Sequence, residues 1–291
     1  MKVLIFGGAG MLGHKLVQVL GEHFDVSYTL RSGFESVARF GILPQAKCIE
    51  NIDVSSSSSI NAVIEAQRPE VVINAVGVIK QKPSASDVIA TLETNSIFPQ
   101  RLAALSAELG FRLITISTDC VFSGSRGMYR EQDVPDALDL YGQSKHWGEV
   151  SGKNCLTLRT SIIGRELSSG HSLIEWFLGN EDQTVKGFRK AIYSGFPTIV
   201  FADIIKRLIT EFPELHGLYH VSSEPINKFD LLELVRDAYE RNIAIESDES
   251  FVIDRSLDSS LFRSATGFAP ITWPEMVKLM AGDRTPYAQW K

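Results

Sequence analysis

Residues 3–13 read Val3-Leu4-Ile5-Phe6-Gly7-Gly8-Ala9-Gly10-Met11-Leu12-Gly13: four apolar residues running straight into a turn that holds four glycines. The apolar run has the length and composition of a strand buried on both faces. The apolar periodicity over residues 12–20 predicts a helix on the far side of the turn. Two spacings fit the glycines: Gly8, Gly10 and Gly13 make GxGxxG, and Gly7, Gly10 and Gly13 make GxxGxxG. Glycine allows the tight turn, lets backbone approach a pyrophosphate, and packs the helix closely on the sheet. Gly7, Gly10, Met11, Leu12 and Gly13 are therefore candidate phosphate contacts, at a helix N-terminus whose N–H groups and dipole favour anions. A glycine spacing alone is weak evidence. Its place between a buried strand and an apolar helix, opening a βαβ unit, gives it weight.

Working outward, short apolar, β-branched runs recur at residues 26–30, 71–75, 113–117 and 156–159. Between them lie helix-length stretches at 57–67, 99–109 and 141–151. Strands and helices alternating at this spacing require parallel strands with right-handed crossovers, hence an α/β, Rossmann-type doubly wound parallel sheet. The serine run 55–59 reads as a loop with a serine cap before the helix. After about residue 160 the alternation loosens. The expected division is a dinucleotide-binding domain over residues 1–160 and a smaller C-terminal substrate-binding lobe over 161–291. Residues 198–222 return to the first part, with helices expected at 204–211 and 229–241 and a strand at 218–222.

The second strand discriminates between cofactors. An acid at its tip would bind the ribose 2′-hydroxyl of NAD. Here the strand ends Tyr28-Thr29-Leu30-Arg31-Ser32, with no acid and with Arg31. A guanidinium pairs with a 2′-phosphate, so NADP(H) is favoured over NAD(H).

Tyr141-Gly142-Gln143-Ser144-Lys145 places a phenol and an ammonium at i and i+4, on one helix face. An adjacent ammonium stabilises the phenolate and is expected to lower the phenol pKa, fitting Tyr141 to exchange a proton with a carbonyl oxygen during hydride transfer. Lys145 can also hydrogen-bond the nicotinamide ribose. The spacing is common by chance. It gains weight from the strand Ile114-Thr115-Ile116-Ser117-Thr118-Asp119, which ends in hydroxyls where doubly wound sheets line their ligand crevice. Thr118 there can donate to a substrate carbonyl and orient Tyr141.

Together these residues resemble the extended short-chain dehydrogenase/reductases, and within them the dTDP-4-dehydrorhamnose reductase-like sugar-nucleotide reductases. The resemblance runs nearly end to end. It takes in Gly7–Gly13, Asp53-Val54, Asn74-Ala75-Val76-Gly77, Asn95, Ser117-Thr118-Asp119-Cys120-Val121-Phe122-Ser123-Gly124, Tyr141–Lys145 with Gly148-Glu149, and Leu158-Arg159-Thr160-Ser161. Leu257–Phe262, Thr266-Gly267-Phe268 and Trp273 close it. It implies Asp53 and Val54 against the adenine, and Ala75, Val76 and Gly77 flanking the cofactor. It also implies Thr118, Tyr141 and Lys145 as the catalytic threonine, tyrosine and lysine, and reduction of a sugar keto group, usually at C4, in deoxysugar or cell-surface polysaccharide synthesis. A homodimer is a further family-level expectation. Two departures stand out: Cys120 where these reductases usually carry tyrosine, and Val76-Gly77 where Ala-Ala is usual. Both point to a differing sugar or nucleotide. With Asp119 followed by Cys120, the acid pair of the family's 4,6-dehydratases is incomplete. Alternatives are a sugar-nucleotide epimerase with retained cofactor and a non-catalytic, nucleotide-binding regulatory subunit of the same fold.

Composition narrows the field. The 291 residues carry a net charge of −6 and are 44 % hydrophobic, which speaks against nucleic acid or an anionic membrane as partner. Cys48, Cys120 and Cys155 lack metal-ligand or disulfide-framework spacing, so no metal and a reducing, cytoplasmic setting are expected. No stretch approaches the ~20 apolar residues of a membrane helix, and the N-terminus lacks the pattern of a signal peptide. Lys80, Lys82, Lys186, Arg189 and Lys190 are candidate cations for a substrate diphosphate, with solvated loops as the plainer reading. His14 either nears the pyrophosphate or is structural.

Overall fold

The computed structural model describes residues 1–79, 87–168 and 170–290. Lys80 and Lys82 lie outside the described residues. The first half alternates as its sequence predicts. In chain order come β1 (Lys2–Phe6), α1 (Gly13–Gly21), β2 (Asp25–Thr29), α2 (Glu35–Ala38), β3 (Cys48–Ile49), α3 (Ser57–Gln67) and β4 (Val71–Asn74). These are followed by α4 (Val88–Leu92), α5 (Phe98–Leu109), β5 (Arg112–Thr118), α6 (Leu140–Trp147) and β6 (Cys155–Thr160). All six strands join one parallel sheet in the order β6-β5-β4-β1-β2-β3, and the strand Gly217–His220 adds to its β6 edge. Chain order reverses between β1 and β4, with Val3 paired to Val26 on one side and Val71 on the other.

Alternation along β1 explains the layering. Val3 and Ile5 face a core shared with Leu16 and Leu20 of α1 and with Phe201 and Ile205 of the helix Thr198–Thr210. Leu4 and Phe6 face the opposite core, with Ile60 and Val63 of α3 and Phe98 and Leu102 of α5. Each fully buried Leu, Ile or Phe contributes roughly 1.5–3 kcal/mol by leaving water. Ser56 caps α3, its side chain accepting from the Ser59 N–H, so the serine run is a helix start as expected.

Some boundaries differ from the sequence expectation. The helix Thr198–Thr210 begins well before residue 204, because Thr198 and Phe201 are also buried. Helix α6 stops at Trp147, where Gly148 closes it. A Cβ on Gly148 would lie 1.8 Å from the Asn95 carbonyl oxygen, so this end of α6 packs directly on the α4–α5 segment. That segment contains a π turn over Glu93–Ile97, which apolar periodicity cannot reveal. The two-residue strand β3 was likewise too short to read.

Beyond β6, the strand Ala191–Tyr193 lies between Ile226–Asn227 and Ile253–Asp254, and Thr184–Phe188 pairs with Ala244–Asp248. The C-terminal residues fold back on α1. Lys15 makes an ion pair with Asp283 at 2.5 Å and a hydrogen bond to Thr285, and Tyr287 is buried. No described helix is long and apolar enough to cross a membrane.

Candidate active site

The glycine turn and the end of β4 meet where strand order reverses, the place at which doubly wound sheets bind ligands. Gly7 has φ +90°, a conformation that side chains disfavour, and its carbonyl accepts from the Gly10 N–H at 3.0 Å. A Cβ on Gly13 would stand 2.0 Å from that same carbonyl. The turn is thus organised around Gly7, Gly10 and Gly13, while Gly8 is small because the Tyr28 ring packs on it. Gly10 is exposed and Met11 half-buried. Leu12 buries its side chain in the core, so that only its backbone could meet a ligand. The arrangement fits a pyrophosphate: a close backbone approach followed by a helix N-terminus whose dipole favours an anion, although the His14 N–H is already taken by the Gly10 carbonyl at 3.0 Å.

Ala75, Val76 and Gly77 are half-buried alongside this turn, and a Cβ on Gly7 would touch the Val76 side chain at 3.0 Å. Asn74 Oδ1 accepts from the Val76 N–H at 3.1 Å. Asn95 clamps Val78, accepting from its N–H at 2.9 Å and donating to its carbonyl at 3.1 Å. The Asn95 amide also donates to Ser144 Oγ at 3.1 Å. One side chain, borne by the π turn, therefore ties the β4 end to the helix of Tyr141. Arg31 is exposed at the tip of β2, and its charge helps lower the Asp53 pKa after the larger effect of two hydrogen bonds from Ser55. Val54 is half-buried beside it.

Thr118 ends β5, and α6 is set against the turn that follows. A Cβ on Gly142 would lie 2.3 Å from the Cys120 carbonyl oxygen, so glycine there permits the contact. Asp139 caps α6 by accepting from the Gly142 N–H. The Tyr141 phenol shares a hydrogen bond with the Thr118 hydroxyl. Thr118 in turn donates to Asp119 Oδ1 at 3.1 Å and accepts from the Cys120 N–H at 3.1 Å. Lys145 is buried and donates to the Ile116 carbonyl at 2.7 Å. Tyr141, Thr118 and Lys145 are thus gathered at the carboxyl end of β5.

The electrostatics differ from the expected phenol–ammonium pairing. Burial pushes the Tyr141 pKa up, and Cys120 and Asp119 add to the rise. The Lys145 ammonium goes instead to the Ile116 carbonyl. Burial lowers the Lys145 pKa to about 8, against the opposing charge of Glu149. Glu149, two turns along from Tyr141, is fixed by a two-pronged bond to Arg159 of β6, both contacts at 2.7 Å, and accepts from Ser117.

Other expectations resolve differently. Lys186, Arg189 and Lys190 each pair with an acid, Asp248, Asp230 and Glu249 respectively, as the solvated-loop reading holds. His14 is structural: its Nδ1–H donates to the Gly10 carbonyl, and its Nε2 accepts from the Tyr287 hydroxyl at 2.6 Å. Three residues beside the Thr118–Cys120 turn escaped the sequence reading. Arg255 donates to the Phe122 carbonyl at 2.9 Å and contacts Cys120 Sγ at 3.7 Å. Lys228 feels the charges of Asp119 and Cys120. Tyr193 is buried within the field of Asp119. Lys228 left a faint signal, since a cation in the first turn opposes the helix dipole. Among the described residues, no group of His, Cys, Asp and Glu could hold a metal ion.

Comparison with known proteins identifies the family. The family model described as RmlD substrate binding domain matches residues 1–282. The methionine adenosyltransferase 2 subunit beta of Xenopus laevis is 24 % identical over 98 % of this chain and 84 % of its own length. A dTDP-4-dehydrorhamnose reductase of Aggregatibacter actinomycetemcomitans is 26 % identical over 77 % of this chain and 74 % of its own. Among solved structures, the Bacillus anthracis dTDP-4-dehydrorhamnose reductase in complex with NADP superposes with a TM-score of 0.78 at 21 % identity, over 96 % of this chain and 98 % of that one. The chain belongs to the RmlD substrate binding domain family, the dTDP-4-dehydrorhamnose reductase-like branch of the extended short-chain dehydrogenase/reductases.

Proposed function

We propose that this chain reduces a keto group, at C4, of a nucleotide-linked deoxysugar with NADPH. The observation that carries the reading is the meeting of Thr118, Tyr141 and Lys145 at the end of β5, beside the crevice at the β1–β4 reversal. Gly7, Gly10, Met11, Leu12 and Gly13 would hold the pyrophosphate, Asp53 and Val54 the adenine, Arg31 the 2′-phosphate, and Ala75, Val76 and Gly77 the inner half of the dinucleotide. When bound, the nicotinamide supplies hydride to the sugar carbon.

The chain's own residues do the rest. A phenol whose pKa is raised stays protonated at neutral pH, the form needed to give a proton to the carbonyl oxygen. Thr118 orients that phenol and, by turning its hydroxyl from Asp119, would donate to the same oxygen. Lys145, protonated below about pH 8, turns from the Ile116 carbonyl toward the phenol and nicotinamide ribose, stabilising the phenolate as the proton leaves. Lys228 and Arg255 give the wall beside Thr118 a positive character suited to an anionic nucleotide sugar. In this reading residues 1–160 bind the dinucleotide and most of 161–291 the substrate.

The two relatives compared above carry different kinds of name, a reductase and an adenosyltransferase subunit. The intact Thr118, Tyr141 and Lys145 favour the reductase. The test is a panel of nucleotide-linked 4-keto sugars with NADPH and NADH, followed at the nicotinamide absorbance. Stoichiometric NADPH oxidation with at least one sugar is expected. Turnover without net NADPH consumption would indicate an epimerase instead, and no turnover with any member would overturn the proposal.

A further inference from the structure

Tyr193 sits on the strand Ala191–Tyr193, next to the strand that leads into Arg255. Its ring packs on Trp273 at 5.3 Å between centroids, and Trp273 is itself pinned by donating to the Glu224 carbonyl at 2.7 Å. Gly195 makes room for the ring, since a Cβ there would meet both the Ser161 carbonyl and Tyr193 Cε2. The side chain is only 7 % exposed, yet its hydroxyl has no hydrogen-bond partner among the described residues. A buried phenol O–H without a partner is costly, because water's hydrogen bonds are lost and nothing replaces them. The cost is avoidable, since phenylalanine would fill the same volume.

The surroundings indicate what the hydroxyl meets. The charge that acts on it is Asp119, the neighbour of Thr118. Arg255, which follows the adjoining strand, reaches the Phe122 and Ser123 carbonyls of the same turn. The strand of Tyr193 is therefore tied, through the Arg255 N–H on the Ile192 carbonyl and the Arg255 guanidinium on the Phe122 carbonyl, to the turn that follows Thr118. A ligand hydroxyl there would donate to the Asp119 carboxylate and accept from Tyr193. A neutral hydroxyl suits that spot best, since it can donate to Asp119 and accept from Tyr193, while Lys228 and Arg255 on the same wall would meet the anionic part of the ligand.

We propose that Tyr193 is a specificity-determining residue whose hydroxyl binds a ring hydroxyl of the sugar, working with Asp119. The inference rests on the nucleotide-sugar reading and deepens it. A site built around a substrate hydroxyl rejects the analogue that lacks it, because its own polar groups are then left unpaired.

The test uses full-length protein saturated with NADPH, titrated calorimetrically with dTDP-glucose and with its 2-deoxy and 3-deoxy sugar analogues. Tyr193→Phe is expected to weaken dTDP-glucose binding roughly tenfold and to leave the NADPH affinity unchanged. It should also erase the wild-type preference for dTDP-glucose over one of the two deoxy analogues. The melting temperature without sugar should stay equal or rise, since the variant removes an unpaired group; a purely structural tyrosine would give a fall. Unchanged dTDP-glucose affinity in the variant, or an undiminished preference, would overturn the inference alone. Failure of the wild-type protein to bind any of the three, or the UDP- and GDP-linked glucoses titrated beside them, would overturn the nucleotide-sugar reading with it.

Discussion

Tyr141 and Lys145 stand one helical turn apart, but their surroundings act on them in opposite directions. Burial holds the phenol protonated and eases the proton off the ammonium. In the proposed reaction the two groups would divide the work: one would donate a proton, and the other would supply charge only while it keeps its own. Keto reduction, measured as kcat/KM against pH, is expected to fall as pH rises through about 8, where Lys145 loses its proton. A profile flat to pH 10 would show that the ammonium plays no part. Arg31 offers a second test at this scale. Exposed at the end of β2, it has little to lose structurally. Arg31→Ala should raise the Kd for NADPH about tenfold, a charge-assisted bond's worth, and leave that for NADH unchanged in fluorescence titrations.

The elements deliver these residues by close backbone contact. Helix α6 reaches the β5 end because Gly142 lets it lie on the Cys120 carbonyl, and its far end is fastened by Glu149 to Arg159. Gly142→Ala should displace Tyr141 by a fraction of an ångström to an ångström and lower kcat about 100-fold. NADPH affinity should stay within twofold, as stopped-flow and equilibrium binding would show. Much of this was legible in the sequence. The buried strands announced themselves as short apolar runs, the glycine turn followed the first of them, and Tyr141 and Lys145 fell on one face of a recognisable helix. What stayed hidden came from pairing between distant segments. Tyr193 and Arg255 look like ordinary residues until the strands that bear them align, and Lys228 shows only as a cation at the wrong end of a helix. The π turn carrying Asn95 and the carbonyl that receives Lys145 have no sequence signature either. Burial, which reverses the expected shift of the Tyr141 phenol, is a property of the assembled crevice.

Across the whole molecule the C-terminal segment closes a loop on the first helix. Tyr287 donates to His14, which donates to Gly10 in the glycine turn, and Lys15 pairs with Asp283. Burial lowers the pKa of His14 to about 4, and burial together with Arg159 does the same for His220. Both rings are neutral in the fold, whereas the unfolded chain takes up protons near pH 6.5. Stability from each ring is thus present above that pH and lost as pH falls toward 4, on the order of 3 kcal/mol per ring. Urea unfolding should show this decline, and His14→Gln should make it shallower; equal slopes would refute the assignment. The central claim joins the fold to its chemistry: a protonated phenol at the β5 end, beside a dinucleotide held at the β1–β4 reversal. The most direct measurement compares wild type with Tyr141→Phe, following NADPH oxidation with a nucleotide-linked 4-keto sugar alongside NADPH binding. The account predicts a kcat lower by about 100-fold to 10,000-fold with NADPH affinity nearly unchanged. Undiminished turnover in the phenylalanine variant would contradict it.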